Sequence, residues 1–147
     1  MGHVEATKEL AATPDAVWQV ISDPQTWDKW FTLHAGWLAE PPATLSEGDK
    51  LVEKIVMLGM ANKLEWNVAA LQQGEKITLA GTGMAGVKVE FSFIVASAES
   101  GSTFSVIGDF EGALIKGALG KAVEKDFGLQ LNKSVEQLDV LAVGAAA

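Results

Sequence analysis

Between Gly36 and Phe110 the apolar residues recur at every second position, run after run. Beyond Leu114 they recur every third and fourth. A strand sends successive side chains to opposite faces, while a helix gathers positions i, i+3 and i+4 on one side. The chain therefore reads as consecutive strands followed by one long amphipathic helix. Strands joined by short turns pair antiparallel, and a helix longer than any of them buries its stripe only by lying across one face of the sheet.

The runs are Gly36 to Glu40, Lys50 to Leu58, Ala61 to Gln72 and Lys76 to Gly81. Val87, Val89, Phe91, Phe93 and Val95 then form one set, and Phe104, Val106, Gly108 and Phe110 another. Pro41-Pro42, Glu47-Gly48-Asp49, Gln73-Gly74-Glu75 and Glu99-Ser100-Gly101 separate them. Ahead of these, Val4 to Ala12 can form an opening strand. Thr13-Pro14-Asp15 then starts a helix, with Thr as N-cap, Pro at the first helical position and Asp in the first turn. Asp23-Pro24 ends that helix and opens a second short one over Gln25 to Trp30. In the C-terminal helix, Leu114 to Ala142, the stripe is Leu119, Val123, Phe127, Leu131, Val135 and Leu138. Gly117, Gly120 and Gly128 each cost about 1 kcal/mol relative to Ala, which implies a bend or a close approach to the sheet. The expected fold is α+β: a curved antiparallel sheet of about seven strands around the long helix, with two short helices after strand one. It forms a single domain over residues 1–147, with 143–147 a frayed tail.

Composition narrows the chemistry. The chain has a net charge of −8, and its 11 basic residues are all lysine. A nucleic-acid binder needs a basic surface and the forked donors of arginine, so no nucleic-acid partner is expected. The same charge offers no support for anionic lipid headgroups. The chain has no cysteine and only two histidines, His3 and His34. Disulfides, thiolate chemistry and a His-rich metal site are thereby excluded. No apolar run reaches the roughly 18 residues of a membrane span, and the polar start MGHVEATKEL is not a signal peptide. A cytoplasmic protein without stable membrane insertion is expected, with no cofactor and no metal.

Gly81-Thr82-Gly83-Met84-Ala85-Gly86 matches G-x-G-x-x-G, but dinucleotide binding needs a helix after the loop, and VKVEFSF alternates as a strand. The segment reads as a glycine-rich hairpin or bulge. The strand acids Glu53, Glu65, Glu90, Asp109 and Glu111 mostly fall opposite the apolar alternation, on the solvated side, with strand three the ambiguous case. Glu53 and Lys54 both sit among apolar neighbours, and either can point inward. His34 lies beside a Trp/Phe cluster and is the one candidate for acid–base catalysis, since an imidazole titrates near neutral pH; its other readings are a loop histidine hydrogen-bonded to backbone and a ligand contact. Trp66, Phe91, Phe93, Phe104 and Phe110 share one sheet face opposite Leu119, Val123 and Phe127. Such a set is either plain core or the lining of an apolar pocket, with Asn62 as a polar contact at its end.

The segment Ala12-Thr13-Pro14-Asp15-Ala16-Val17-Trp18, with Ser22-Asp23-Pro24, Trp27, Trp30 and Glu47-Gly48-Asp49 before a strand, resembles the START-like (SRPBCC) superfamily. That superfamily has the helix-grip fold of Bet v 1 allergens, lipid-transfer START domains and polyketide cyclases. Trp30-Phe31-Thr32-Leu33-His34, Gly59-Met60-Ala61-Asn62 with Trp66, and the Gly81 to Val89 segment look like an actinobacterial subfamily. Some of its members are labelled polyketide cyclase-like and others as the toxin of a toxin–antitoxin pair. The resemblance carries no catalytic residue with it. It implies a hydrophobic small-molecule ligand, such as a lipid, isoprenoid or polyketide, held between sheet and long helix. Trp30, Phe31 and His34 would then stand near the entrance, and the aromatic set inside. Two alternatives accompany it: a cyclase/aromatase-type enzyme in which His34 moves protons, and a toxin acting through a protein partner. A homodimer through an exposed edge strand is also open.

Overall fold

A computed structural model describes residues 2–83, 86–112 and 117–146. The elements run β1 (Gly2–Leu10), α1 (Pro14–Ile21), a 3-10 turn (Pro24–Thr26), α2 (Trp27–Trp30) and β2 (His34–Trp37). They continue with β3 (Lys50–Met57), β4 (Met60–Gln72), β5 (Lys76–Thr82), β6 (Lys88–Ala98), β7 (Gly101–Glu111) and α3 (Gly117–Ala146). The seven strands form one antiparallel sheet in the order β1-β7-β6-β5-β4-β3-β2. The meander expected from the sequence is closed by its first strand, which pairs with its last.

Local signals act where the sequence puts them. Thr13 Oγ1 accepts from Ala16 N–H at 3.2 Å, and Pro14 opens α1. Asp23 Oδ1 accepts from Gln25 N–H at 3.0 Å and caps the 3-10 turn. The edge strand departs from expectation. β2 runs from His34 to Trp37 rather than from Gly36 to Glu40, with a register shift between His34 and Gly36. Pro41 and Pro42 follow and have no N–H to offer β3, so pairing is shifted toward the chain segment that has donors.

The core is the space between the concave sheet face and α3, closed by α1 and α2. Val123, Phe127, Leu131, Val135, Leu138 and Ala142 are buried along α3. Leu119, expected in that stripe, is 47% exposed. The helical phase holds, but residues 117–122 bury no side chain, so the first turns of α3 stand clear of the sheet. Gly128 is not a close approach either, since a Cβ there would meet nothing within 4 Å.

Three carboxylates of α3 pin it to backbone N–H groups of other elements. Glu124 accepts from His3 N–H (3.0 Å), Asp126 from Leu58 N–H (2.9 Å) and Asp139 from Ala11 N–H (3.1 Å). Ser134 Oγ accepts from Thr32 N–H at 2.9 Å, tying the segment after α2 to the same helix. Two glycines make room for rings on the concave face. Gly81 pairs directly with Trp66 and Gly108 with Phe91, and a Cβ at either would lie 2.5 Å or 2.4 Å from the opposing ring.

Candidate ligand-binding site

Along β3 the inward positions are Leu51, Glu53 and Ile55, and the two-residue period sends Lys54 to solvent. The choice left open between Glu53 and Lys54 is thus resolved, and it places a carboxyl group with 0% exposure on an otherwise apolar surface. Two neighbours satisfy it. Trp66 Nε1 donates to Glu53 Oε1 at 2.7 Å, and His34 Nδ1 lies 2.5 Å from Glu53 Oε2, with one proton between them. The bulge in β2 presents His34 to β3. Trp37 packs on the imidazole at a centroid distance of 4.7 Å, and the His34 side chain keeps only 2% of its surface exposed. Burial raises the Glu53 carboxyl above its ordinary value of 4.5, because a charge there loses its hydration; the hydrogen bonds from His34 and Trp66 pull the other way. Imidazole Nε2 makes no hydrogen bond among the described residues. It is the atom with which His34 could exchange a proton, with Glu53 holding the ring.

Nine of the eleven predicted ligand residues join one cluster: Trp30, Phe31, Trp66, Phe91, Phe93, Phe104, Phe110, Val123 and Phe127 are all buried in it. Trp66 packs on Phe91 (5.5 Å between centroids), Phe91 on Phe127 (6.0 Å) and Phe127 on Phe110 (5.4 Å). Trp30 contacts Phe93 (5.6 Å) and Phe104 (6.1 Å). Trp30 and Phe31, expected near an entrance, are buried, because α2 turns its ring-bearing side into the core, while His34 on β2 is half-buried as a residue. Asn62 is half-buried near the β3–β4 turn, where its Nδ2 donates to Met60 O at 3.0 Å. Leu119 stands outside the cluster.

Glu53 is the member that sequence reasoning did not assign. Parity offered no signal to separate it from Lys54, since Leu51-Glu53-Ile55 and Val52-Lys54-Val56 alternate alike. Trp27 and Trp37 were likewise not counted as neighbours of the site. The indole N–H of Trp27 donates to Ile21 O (3.1 Å) and that of Trp37 to Pro24 O (3.1 Å), whereas the buried N–H of Trp30 has no acceptor among the described residues. The glycine-rich segment is a hairpin as expected: Gly83 N–H donates to Val87 O at 2.7 Å and a strand follows, with Met84 and Ala85 outside the described residues. Among the described residues, no group of three or more acidic, His or Cys side chains is placed to hold a metal ion. None of their helices is long and apolar enough to cross a membrane.

Comparison with known proteins agrees with this architecture. The fold is that of a START superfamily protein from Mycobacterium smegmatis, with TM-score 0.79 and 19% identity over 98% of this chain and 99% of that one. A protein from Thermus thermophilus gives TM-score 0.76 and 14% identity, covering 99% of each chain. In sequence, a Mycobacterium tuberculosis (H37Rv) protein named as a toxin is 26% identical over 98% of this chain and 100% of its own length. The model of the family described as "Polyketide cyclase / dehydrase and lipid transport" matches residues 1–140. The chain, with its helix-grip sheet and long C-terminal helix, therefore belongs to the polyketide cyclase/dehydrase and lipid transport family.

Proposed function

We propose that this protein binds a hydrophobic small molecule, of the lipid, isoprenoid or polyketide kind, on the concave sheet face beneath α3. The observation that carries this reading is the Glu53–His34–Trp66 cluster set into an aromatic surface. For stability alone, apolar residues of similar volume serve as well as a buried ionisable pair, or better. A polar group of a ligand bound beside the cluster accounts for it, and the Trp30 N–H, without an acceptor among the described residues, offers a donor of the same kind. The family description, naming both lipid transport and cyclisation chemistry, supports an apolar ligand. Because the rings touch one another across the concave face, they must part to admit it, and binding is then coupled to movement of α2 or α3.

The test is native mass spectrometry of the protein purified from its own host, with solvent extraction of bound molecules. It is paired with quenching of tryptophan fluorescence by fatty-acid, isoprenoid and aromatic polyketide probes. A stoichiometric apolar adduct or saturable quenching is expected, weakened in Glu53→Gln. An unadducted mass together with no saturable quenching overturns the reading.

The closeness of His34 and Glu53 favours one further reading, proton transfer in a cyclase- or dehydratase-type reaction. His34 would act as acid–base through Nε2 while Glu53 orients the ring. Unchanged turnover of an accepted substrate by His34→Ala removes it. The toxin reading rests on the name of a relative at 26% identity. Normal growth of a related host on induced expression, with no antitoxin present, removes that one.

A further inference from the structure

Leu119, Leu129, Val140 and Val143 are the large apolar side chains of α3 left exposed. All of them fall on one series of alternating three- and four-residue steps, 119, 122, 126, 129, 133, 136, 140 and 143, which is the spacing of a coiled-coil seam. Leu129 precedes the buried Leu138 by nine residues, which is two and a half turns. The series therefore follows the side of α3 turned away from the sheet. Leu129, Lys133, Glu136 and Val140 lie within about 60° of one another around the axis. Leu129 is 55% exposed and Val140 77%.

Beside Val140 the surface is hollow. Lys29 on α2 and Glu136, Gln137, Val140 and Leu141 on α3 line a groove of about 370 Å³. Leu141 is half-buried and packs against the core, so the groove has an apolar wall as well as charged ones. Such a hollow is the hole that receives an apolar knob from a second helix. Neither Lys133 nor Glu136 has an ion-pair partner among the described residues.

We propose that a second copy of this chain covers this face, its α3 lying antiparallel to the first. Leu129 of each copy enters the groove beside the partner's Val140, and Lys133 meets the partner's Glu136, each contact occurring twice about the two-fold axis. The charges select this arrangement. Parallel helices set Lys133 on the partner's Lys133 and Glu136 on the partner's Glu136. An antiparallel slide of seven residues sets Glu136 against the partner's Asp126 in one direction and the partner's Val140 in the other. On this side Lys29, Lys125 and Lys133 stand with Asp126 and Glu136, so the acid excess behind the net charge of −8 lies elsewhere on the molecule. The sheet edges are poorer surfaces for a second copy. β2 has only four residues before Pro41-Pro42, and α3 carboxylates take the N–H groups of His3 and Ala11 at the two ends of β1. A strip from 126 to 143 is about 27 Å long and about 10 Å wide, well under the about 800 Å² per partner of a stable complex. The dimer is therefore reversible and concentration-dependent, and it forms whatever the interior binds.

The experiment is sedimentation equilibrium of the full-length protein from about 5 to about 500 μM, a range suited to a small interface. The average mass is expected to climb from one chain toward two. Leu129→Gln with Val140→Gln changes only exposed side chains, so it leaves the Tm in place while weakening association at least about tenfold. Lys133→Glu and Glu136→Lys each set like charges face to face and weaken self-association about tenfold. Mixed together, those two single variants form a heterodimer, because every facing pair is again of opposite sign. Wild type that stays one chain at every concentration would overturn the proposal. So would a dimer that survives Leu129→Gln with Val140→Gln, or charge variants that do not recover on mixing.

Discussion

Replacing Glu53 by alanine tests whether the buried cluster is held as described. The substitution leaves the Trp66 N–H without its acceptor at 2.7 Å, and an orphaned buried donor costs about 1–3 kcal/mol. It also takes the partner from His34, and breaking a buried pair by removing one member costs about 3–5 kcal/mol. These contributions overlap, and a neutral imidazole tolerates burial better than a carboxylate, so the expected loss is about 3–4 kcal/mol. Glu53→Gln keeps an oxygen for Trp66 and offers an amide N–H to a neutral His34, so it should cost about 1 kcal/mol. Urea unfolding followed by tryptophan fluorescence reads both, and the alanine variant should shift the midpoint by about 2 M. The pH dependence carries a sign. The folded carboxyl titrates above its ordinary 4.5, so the folded state binds its proton more tightly than the unfolded chain does. Its stabilising contribution is full below pH 4.5 and is lost as pH rises through the folded value. The stability of wild type relative to Glu53→Gln should therefore fall across that interval, by at most about 1.4 kcal/mol per pH unit. An alanine variant within about 0.5 kcal/mol of wild type, or a glutamine variant as damaging as alanine, would refute the reasoning.

The glycines make a paired test. Gly81→Ala and Gly108→Ala press a methyl group against Trp66 or Phe91 and should each cost about 1–3 kcal/mol, whereas Gly128→Ala meets open space and should add about 1 kcal/mol, all read by thermal unfolding. His3, hydrogen-bonded to Asp109 and then Glu5, titrates above 6.5; its contribution is present below that pH and lost above the raised value. An NMR titration should show the shift, and Asp109→Asn should remove most of it. Phe127→Ala removes the ring that packs on both Phe91 and Phe110 and should cost about 3–5 kcal/mol, with loss of any apolar ligand.

The sequence by itself determined the features set by local chain geometry. The two-residue alternation of Phe91 and Phe93 or of Phe104 and Phe110 settles which side chains share a sheet face. The spacing of Val123, Phe127, Leu131 and Leu138 settles one side of a helix, and Thr13-Pro14-Asp15 settles where a helix begins. Each depends only on neighbours a few bonds away. Tertiary structure decided what depends on distant partners. Parity alone left Val52-Glu53-Lys54-Ile55 undecided, because either charged residue can face inward if something there satisfies it. Pairing with β2 and β4 brings His34 and Trp66 to Glu53, while Lys54 faces solvent. Leu119 has the right helical phase for the core and is nonetheless exposed, because phase does not say where α3 leaves the sheet behind. The strain at Leu58 follows from register too. Only the pairing of Met57 with Met60 shortens the turn to two residues and forces a leucine into the left-handed region.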